Sequence, residues 1–157
     1  MMIERNLPTT KESTRTLTTG NNVTLVTFYL GDYLFGIRAE KVMEINRDLD
    51  ITPVPHAADY ILGIMNLRGQ IITVIDLSKK IKTKLLVQPR LNLILRHQDE
   101  VAAFLIEKID DILEVPLNKL EEPPEKIEGI NKEFVENVYQ LPDKLLIILN
   151  VNKIFDH

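Results

Sequence analysis

The sequence predicts an all-β protein folded as two small lobes around a shared hydrophobic core, and three observations lead there. Apolar, β-branched and aromatic residues come in short runs separated by turn residues, which is the pattern of strands rather than long helices. Pro53, Pro55, Pro89, Pro116, Pro123, Pro124 and Pro142 fall between those runs, where backbone pairing has to stop. Most informative of all, the chain repeats itself.

Three blocks carry the repeat. Glu40-Lys41-Val42-Met43-Glu44-Ile45 is echoed by Glu107-Lys108-Ile109-Asp110-Asp111-Ile112, and Ile61-Leu62-Gly63-Ile64 by Ile127-Glu128-Gly129-Ile130. Gly63 lies 23 residues after Glu40, and Gly129 lies 22 after Glu107. Ile72-Thr73-Val74-Ile75-Asp76-Leu77 matches Leu146-Ile147-Ile148-Leu149-Asn150-Val151, each followed two residues on by a lysine, Lys79 or Lys153. Two related lobes of about five short strands follow, the first roughly 23–88 and the second roughly 89–157, with room for strands to be exchanged between them. Closed or nearly closed barrels would protect the edges of such short strands. Each lobe falls below the roughly 70–80 residues that one core supports comfortably, so the lobes should bury surface against each other.

Taken in order, residues 1–22 are polar and Thr-rich and read as a flexible tail, unable to bury enough surface to offset ordering entropy. The folded domain is expected over 23–157. Val23–Leu30 is a strand, Gly31-Asp32 a turn, and Tyr33–Ile37 the answering arm of a hairpin. Further strands are expected at Met43–Asn46, Gly63–Leu67, Gln70–Asp76, Arg90–Arg96, Glu100–Ile106, Asp110–Val115 and Leu145–Val151. Short helical segments are expected at Ala39–Val42 and after Asp76 and Asn150.

Composition narrows the function. The 157 residues carry 19 basic and 23 acidic side chains, net −4, with no basic block, which argues against nucleic acid. There is no Trp and aromatics are 6%, too few for a base-stacking platform. Cysteine is absent, which excludes disulfides, thiolate metal sites and cysteine nucleophiles. The N-terminus has no apolar segment of a secretory signal, and no apolar run approaches the roughly 20 residues a membrane helix needs. A cytoplasmic protein with no direct membrane insertion is expected.

Catalytic chemistry is missing too. His56, His97 and His157 stand in no zinc-ligand spacing, and His56, after Pro55, is expected in an exposed turn. Ser13 falls in the tail and Ser78 lacks a nucleophile-elbow context. Gly31 and Gly36 flank a hairpin rather than opening a phosphate-binding helix. Asp110 and Asp111, as strand neighbours, should point to opposite faces, and Glu121-Glu122 lies in a Pro-rich connection. No enzyme, no metal and no cofactor are expected.

The specific signal lies in Gly63-Ile64-Met65-Asn66-Leu67-Arg68-Gly69-Gln70-Ile71-Ile72-Thr73-Val74-Ile75-Asp76-Leu77. Physically it is a hairpin turning at Leu-Arg-Gly, with Gly69 free to take a positive φ and intolerant of a β-branched replacement. Gly63 and Gly69 are read as structural turn residues.

With Phe28-Tyr29-Leu30-Gly31-Asp32, Phe35-Gly36-Ile37, Val42-x-Glu44-Ile45, Ile51-Thr52-Pro53-Val54-Pro55, Tyr60-x-x-Gly63, Asn66-Leu67-Arg68-Gly69 and Val74-Ile75-Asp76-Leu77, the chain resembles the CheW-like family over essentially everything after residue 22. The later half, through Glu107–Ile112 and Ile148–Val151, matches more loosely. Thr73 departs from a frequent proline, and Glu107 from a common aspartate. The resemblance implies two five-stranded SH3-like barrels around a shared centre. It also implies a chemotaxis adaptor that couples the cytoplasmic tip of a chemoreceptor to the regulatory domain of the histidine kinase CheA. Receptor binding would fall to Val42, Glu44, Ile45, Asn66, Leu67 and Arg68 beside the groove between lobes, and the kinase would meet the apolar ends of a barrel. Val42 and Ile45 would offer an apolar strip, and Arg68 a forked, charge-assisted bond to a receptor carboxylate or carbonyl. A scaffold of a pilus or developmental two-component pathway is the alternative that the residues leave open.

Overall fold

The computed structural model describes residues 21–47, 50–84 and 91–156. The expected tail lies outside these residues apart from Asn21 and Asn22, as do the 88/89 boundary, Arg90 and His157. Asn22 already opens the first strand. Ten strands follow: β1 (Asn22–Leu30), β2 (Tyr33–Arg38), β3 (Val42–Arg47), β4 (Ile61–Leu67), β5 (Gln70–Asp76), β6 (Leu91–His97), β7 (Glu100–Ile106), β8 (Lys108–Pro116), β9 (Val135–Gln140) and β10 (Leu145–Leu149). Two five-residue helices, α1 (Leu77–Ile81) and α2 (Val151–Phe155), follow β5 and β10, and short 3-10 turns cover Ala39–Lys41, Leu117–Lys119 and Lys132–Phe134.

The strands form two five-stranded sheets, in the orders β8-β1-β2-β10-β9 and β3-β6-β7-β5-β4. Strands of both halves of the chain enter each sheet. The hairpin β1–β2 is flanked by β8 and by β10–β9, and the hairpin β6–β7 by β3 and by β5–β4. Only β2–β10 and β5–β7 are parallel pairs. The sheets are therefore copies of one pattern, a hairpin from one half completed by three strands of the other.

Burial on both faces explains the nearly continuous apolar runs. On β7, Ala102, Phe104 and Ile106 enter the core shared by the two sheets, while Val101 and Ala103 face the other way. Phe28, Phe35, Ile37, Ile75, Leu93, Ile147 and Leu149 join that central core, where the rings of Phe28 and Phe35 lie 5.9 Å apart. Each sheet also wraps an interior of its own: Met65, Leu67, Ile72, Val74 and Ile94 in one, and Val23, Leu25, Leu34, Leu146 and Ile148 in the other.

Of the closed or nearly closed barrels expected, full closure is not confirmed: neither sheet is closed by a ladder among the described residues. Between β3 and β4, Thr52 exchanges two backbone hydrogen bonds with Ile64, at 2.8 and 2.9 Å. Glu121 does the same with Val138 in the other sheet, at 2.9 and 3.0 Å. The Glu121 bridge cannot be extended forward, because the next N–H the ladder would need belongs to Pro123, which has none.

The repeat is real but one of its blocks is displaced. Ile61–Ile64 lies in β4, whereas Ile127–Ile130 is a separate turn around Gly129 at φ 80°. The counterpart of β4 is β9: Asp76 N donates to Tyr60 O at 2.7 Å, and Asn150 N donates to Phe134 O at 2.8 Å. Ile61 therefore corresponds to Val135. The block ending in Asp76 and Asn150 matches as read, and its physical content is a helix cap. Asp76 accepts from Lys79 N and Asn150 from Lys153 N.

Candidate functional site

The residues singled out at the sequence level lie on β3 and on the β4–β5 hairpin. The hairpin turns on Arg68 and Gly69, at φ 50° and 88°, the pair of positive angles that a two-residue turn matching the twist of its strands requires. Asn66 Oδ1 accepts from Gly69 N at 2.7 Å and locks the turn. This throws Arg68 outward, its side chain 69% exposed. A non-glycine residue in this conformation costs about 1–2 kcal/mol, so the turn presents its arginine at some expense.

β3 carries a bulge. Val42 pairs with Leu95, Glu44 with Ile94 and Ile45 with Leu93, so Met43 is the extra residue. Directly opposed residues share a face. Leu93 and Leu95 belong to the central core and Ile94 to the interior of the second sheet. Val42 and Ile45 consequently share the face toward the seam between sheets, Val42 packed against the central core and Ile45 41% exposed. Glu44 faces the other way, with its side chain 25% exposed.

There Glu44 meets Arg68. One guanidinium nitrogen donates to Glu44 Oε1 at 3.4 Å and the other makes a closer bond to Oε2. β3 and β4 are the outermost strands of this sheet, so the ion pair reaches from one edge to the other across the gap that no ladder closes. The fork expected of Arg68 is onto a receptor group; the fork found here is to Glu44, a carboxylate of its own chain.

The predicted set is thus divided. Glu44, Asn66 and Arg68 come together at the mouth of the second sheet; Val42 and Ile45 lie on the opposite face of the same strand. Leu67 is 8% exposed and packs with Met65, Ile72 and Val74, so its side chain serves the interior. Gly63 lets the chain approach: a Cβ there would stand 2.1 Å from Thr52 O. Gly69 has open space around it and is needed for its φ alone.

Sequence reasoning missed Asn46. It stands two residues after Glu44, hence on the same face, and its Nδ2 donates to Glu44 Oε1 at 3.0 Å. The signal was present in alternation along Glu44-Ile45-Asn46, but only an acceptor at Glu44 gives the amide a purpose. Exposed Met43 and Ile71 flank the same elements, Ile71 opposite Asn66 in the hairpin. Elsewhere His56 is exposed in its turn, and half-buried His97 packs on Phe155 with ring centres 5.6 Å apart. Among the described residues no group of three or more His, Asp or Glu side chains is arranged to hold a metal ion. No helix among them is long and apolar enough to cross a membrane.

Comparison with known proteins agrees with this architecture. The family model of the CheW-like domain matches residues 24–157. The chemotaxis protein CheW of Treponema pallidum is 33% identical over 137 residues, covering 83% of this chain and 81% of its own length. That of Helicobacter pylori is 29% identical over 129 residues, covering 81% and 78%. The crystal structure of the scaffolding protein TtCheW from Thermoanaerobacter tengcongensis superposes with a TM-score of 0.78 at 30% identity, covering 86% of this chain and 93% of that one. The chain belongs to the CheW-like domain family, that of non-catalytic chemotaxis scaffolds.

Proposed function

We propose that this protein is the cytoplasmic adaptor that couples the tips of chemoreceptors to the regulatory domain of the histidine kinase CheA, with Arg68 and the exposed part of β3 on the receptor side. The observation that carries the reading is the cost at which Arg68 is displayed. It occupies a strained turn position, is largely exposed, and is held by Glu44 across the open mouth of a sheet. An ion pair this exposed contributes about 0–1 kcal/mol, too little to account for the arrangement by stability. An oriented guanidinium, with exposed Met43 on the strand of its partner Glu44 and exposed Ile71 opposite Asn66 in its own hairpin, is instead suited to a helical partner that offers apolar anchors and a polar rim. Val42 and Ile45 supply the seam-side contact, while Asn66 and Leu67 support the turn from within.

The test is Arg68→Ala in a reconstituted array of receptor fragment, CheA and this protein. Kinase activation should fall while the variant remains folded and still binds CheA. Unchanged activation would remove Arg68 from the receptor surface.

A further inference from the structure

The interior of the second sheet contains two amides with no evident structural reason. Asn46 on β3 and Asn92 on β6 are paired across the ladder, and Asn92 is 2% exposed. Their Oδ1 atoms are both buried and neither accepts a hydrogen bond from the described residues. Asn92 shares its face of β6 with Ile94, in an interior otherwise lined by Met65, Leu67, Ile72, Val74 and Ala103. A leucine would bury more apolar surface there and leave no amide oxygen unsatisfied, a deficit worth about 1–3 kcal/mol per group. Polar residues kept at such a position point to a role other than stability.

Asn46 shows what that role is. Its Nδ2 donates to Glu44 Oε1 at 3.0 Å, the same oxygen that accepts from Arg68 at 3.4 Å. Without Asn46 the Glu44 carboxylate would be fixed only by an exposed arginine that is itself free to turn. With it, the carboxylate is tied to its own strand on one side and presents its other oxygen to the guanidinium. Asn92, almost fully buried, is the cross-strand neighbour of Asn46 on the same face. The series Asn92, Asn46, Glu44, Arg68 runs from the sheet interior to an exposed cation.

We propose that Asn46, backed by Asn92, is a positioning residue: it fixes Glu44 so that Glu44 holds Arg68 in the orientation in which a partner meets it. The inference rests on the reading of Arg68 as a partner-binding residue, and its test separates the two. Asn46→Ala, Asn92→Leu and Arg68→Ala are compared with the parent protein by thermal unfolding, by the NMR signals of the Arg68 guanidinium, and by titration against a purified receptor cytoplasmic fragment. In the parent the guanidinium should show hindered rotation, the signature of a forked ion pair. In Asn46→Ala and Asn92→Leu that signature should weaken, and the fragment should bind about 2- to 10-fold more weakly, the range expected for one hydrogen bond. Asn92→Leu should do this with a melting temperature equal to or above the parent's, which a purely structural asparagine would not allow.

An unchanged guanidinium signature in Asn46→Ala overturns the proposal. So does full receptor affinity in Asn46→Ala when Arg68→Ala has lost it. If Arg68→Ala itself binds normally while the signature in Asn46→Ala is lost, the positioning of Arg68 by Asn46 stands and the partner role of Arg68 fails.

Discussion

Replacing Gly63 by alanine tests the closure of the second sheet. At φ 153° the new Cβ would lie 2.1 Å from Thr52 O and 2.7 Å from Thr52 C, backbone atoms that no side-chain movement can clear. The bridge between Thr52 and Ile64 would open, losing two hydrogen bonds of 2.8 and 2.9 Å, each worth about 1 kcal/mol net. Alanine at a positive φ adds about 1–2 kcal/mol. The total is about 3–4 kcal/mol, a large share of the roughly 5–15 kcal/mol that holds a domain together. At a urea m-value of about 1.5–2 kcal/mol/M the midpoint should drop by about 2 M. Gly69→Ala is the control: at φ 88° with nothing within 4 Å of the new Cβ, it carries the backbone strain alone. If Gly63→Ala costs no more than Gly69→Ala, the approach of Thr52 does not stabilise the sheet.

Three further outcomes follow from other contacts. Arg68→Ala should lower the melting temperature by no more than about 2–4 °C, since its partner Glu44 is held independently by Asn46 and exposed pairs are weak; a larger drop by calorimetry would make the ion pair a structural clamp. Asp76→Ala should cost more than Asn150→Ala, about 1 kcal/mol for the latter, because Asp76 is buried and also accepts from Ser78 Oγ at 2.6 Å; equal denaturation midpoints would contradict this. The hydrogen bond to Tyr29 Oη raises the pKa of Lys144 above 10.5, outweighing the opposing effect of desolvation, with nearby Asp143 and Asp110 adding to the rise. A folded-state pKa raised in this way adds stability that is complete below pH 10.5 and is lost as pH rises through the folded value. The advantage of the parent over Lys144→Met should therefore hold at neutral pH and shrink above about pH 10.5, and an advantage constant through that range would refute it.

Much of this was legible in the chain. The runs that became β1, β2, β4, β5, β7 and β10 announced themselves because both faces are buried and nearly every position is apolar. β9 did not, because Glu136 and Asn137 break the run between buried Val135 and Val138. The same gap in the pattern let Ile127–Ile130 stand in for β4's counterpart, although the backbone bonds at Tyr60 and Phe134 show where the true correspondence lies. For the site, the turn and its arginine were evident from Asn66-Leu67-Arg68-Gly69. The separation of Glu44 from Val42 was not, since plain alternation puts the two on one face and only the bulge at Met43 parts them. Nor could local sequence supply Glu44 as the partner of Arg68, because the two meet only when the outer strands of a five-stranded sheet curl toward each other.

The exchange of strands sets when this protein can begin to exist during synthesis. The hairpin β1–β2 is made well before its neighbours β8 and β10, with the strands β3 to β7 coming between. Leu25 pairs with Leu113, and Phe35 with Ile147. Until those partners leave the ribosome, an apolar hairpin with two open edges must wait, a state prone to pair with the wrong chain. The half ending near residue 84 can complete neither sheet by itself, so folding is deferred until β10 has been made. A fragment of either half should be insoluble alone, and the two made together should recover the whole.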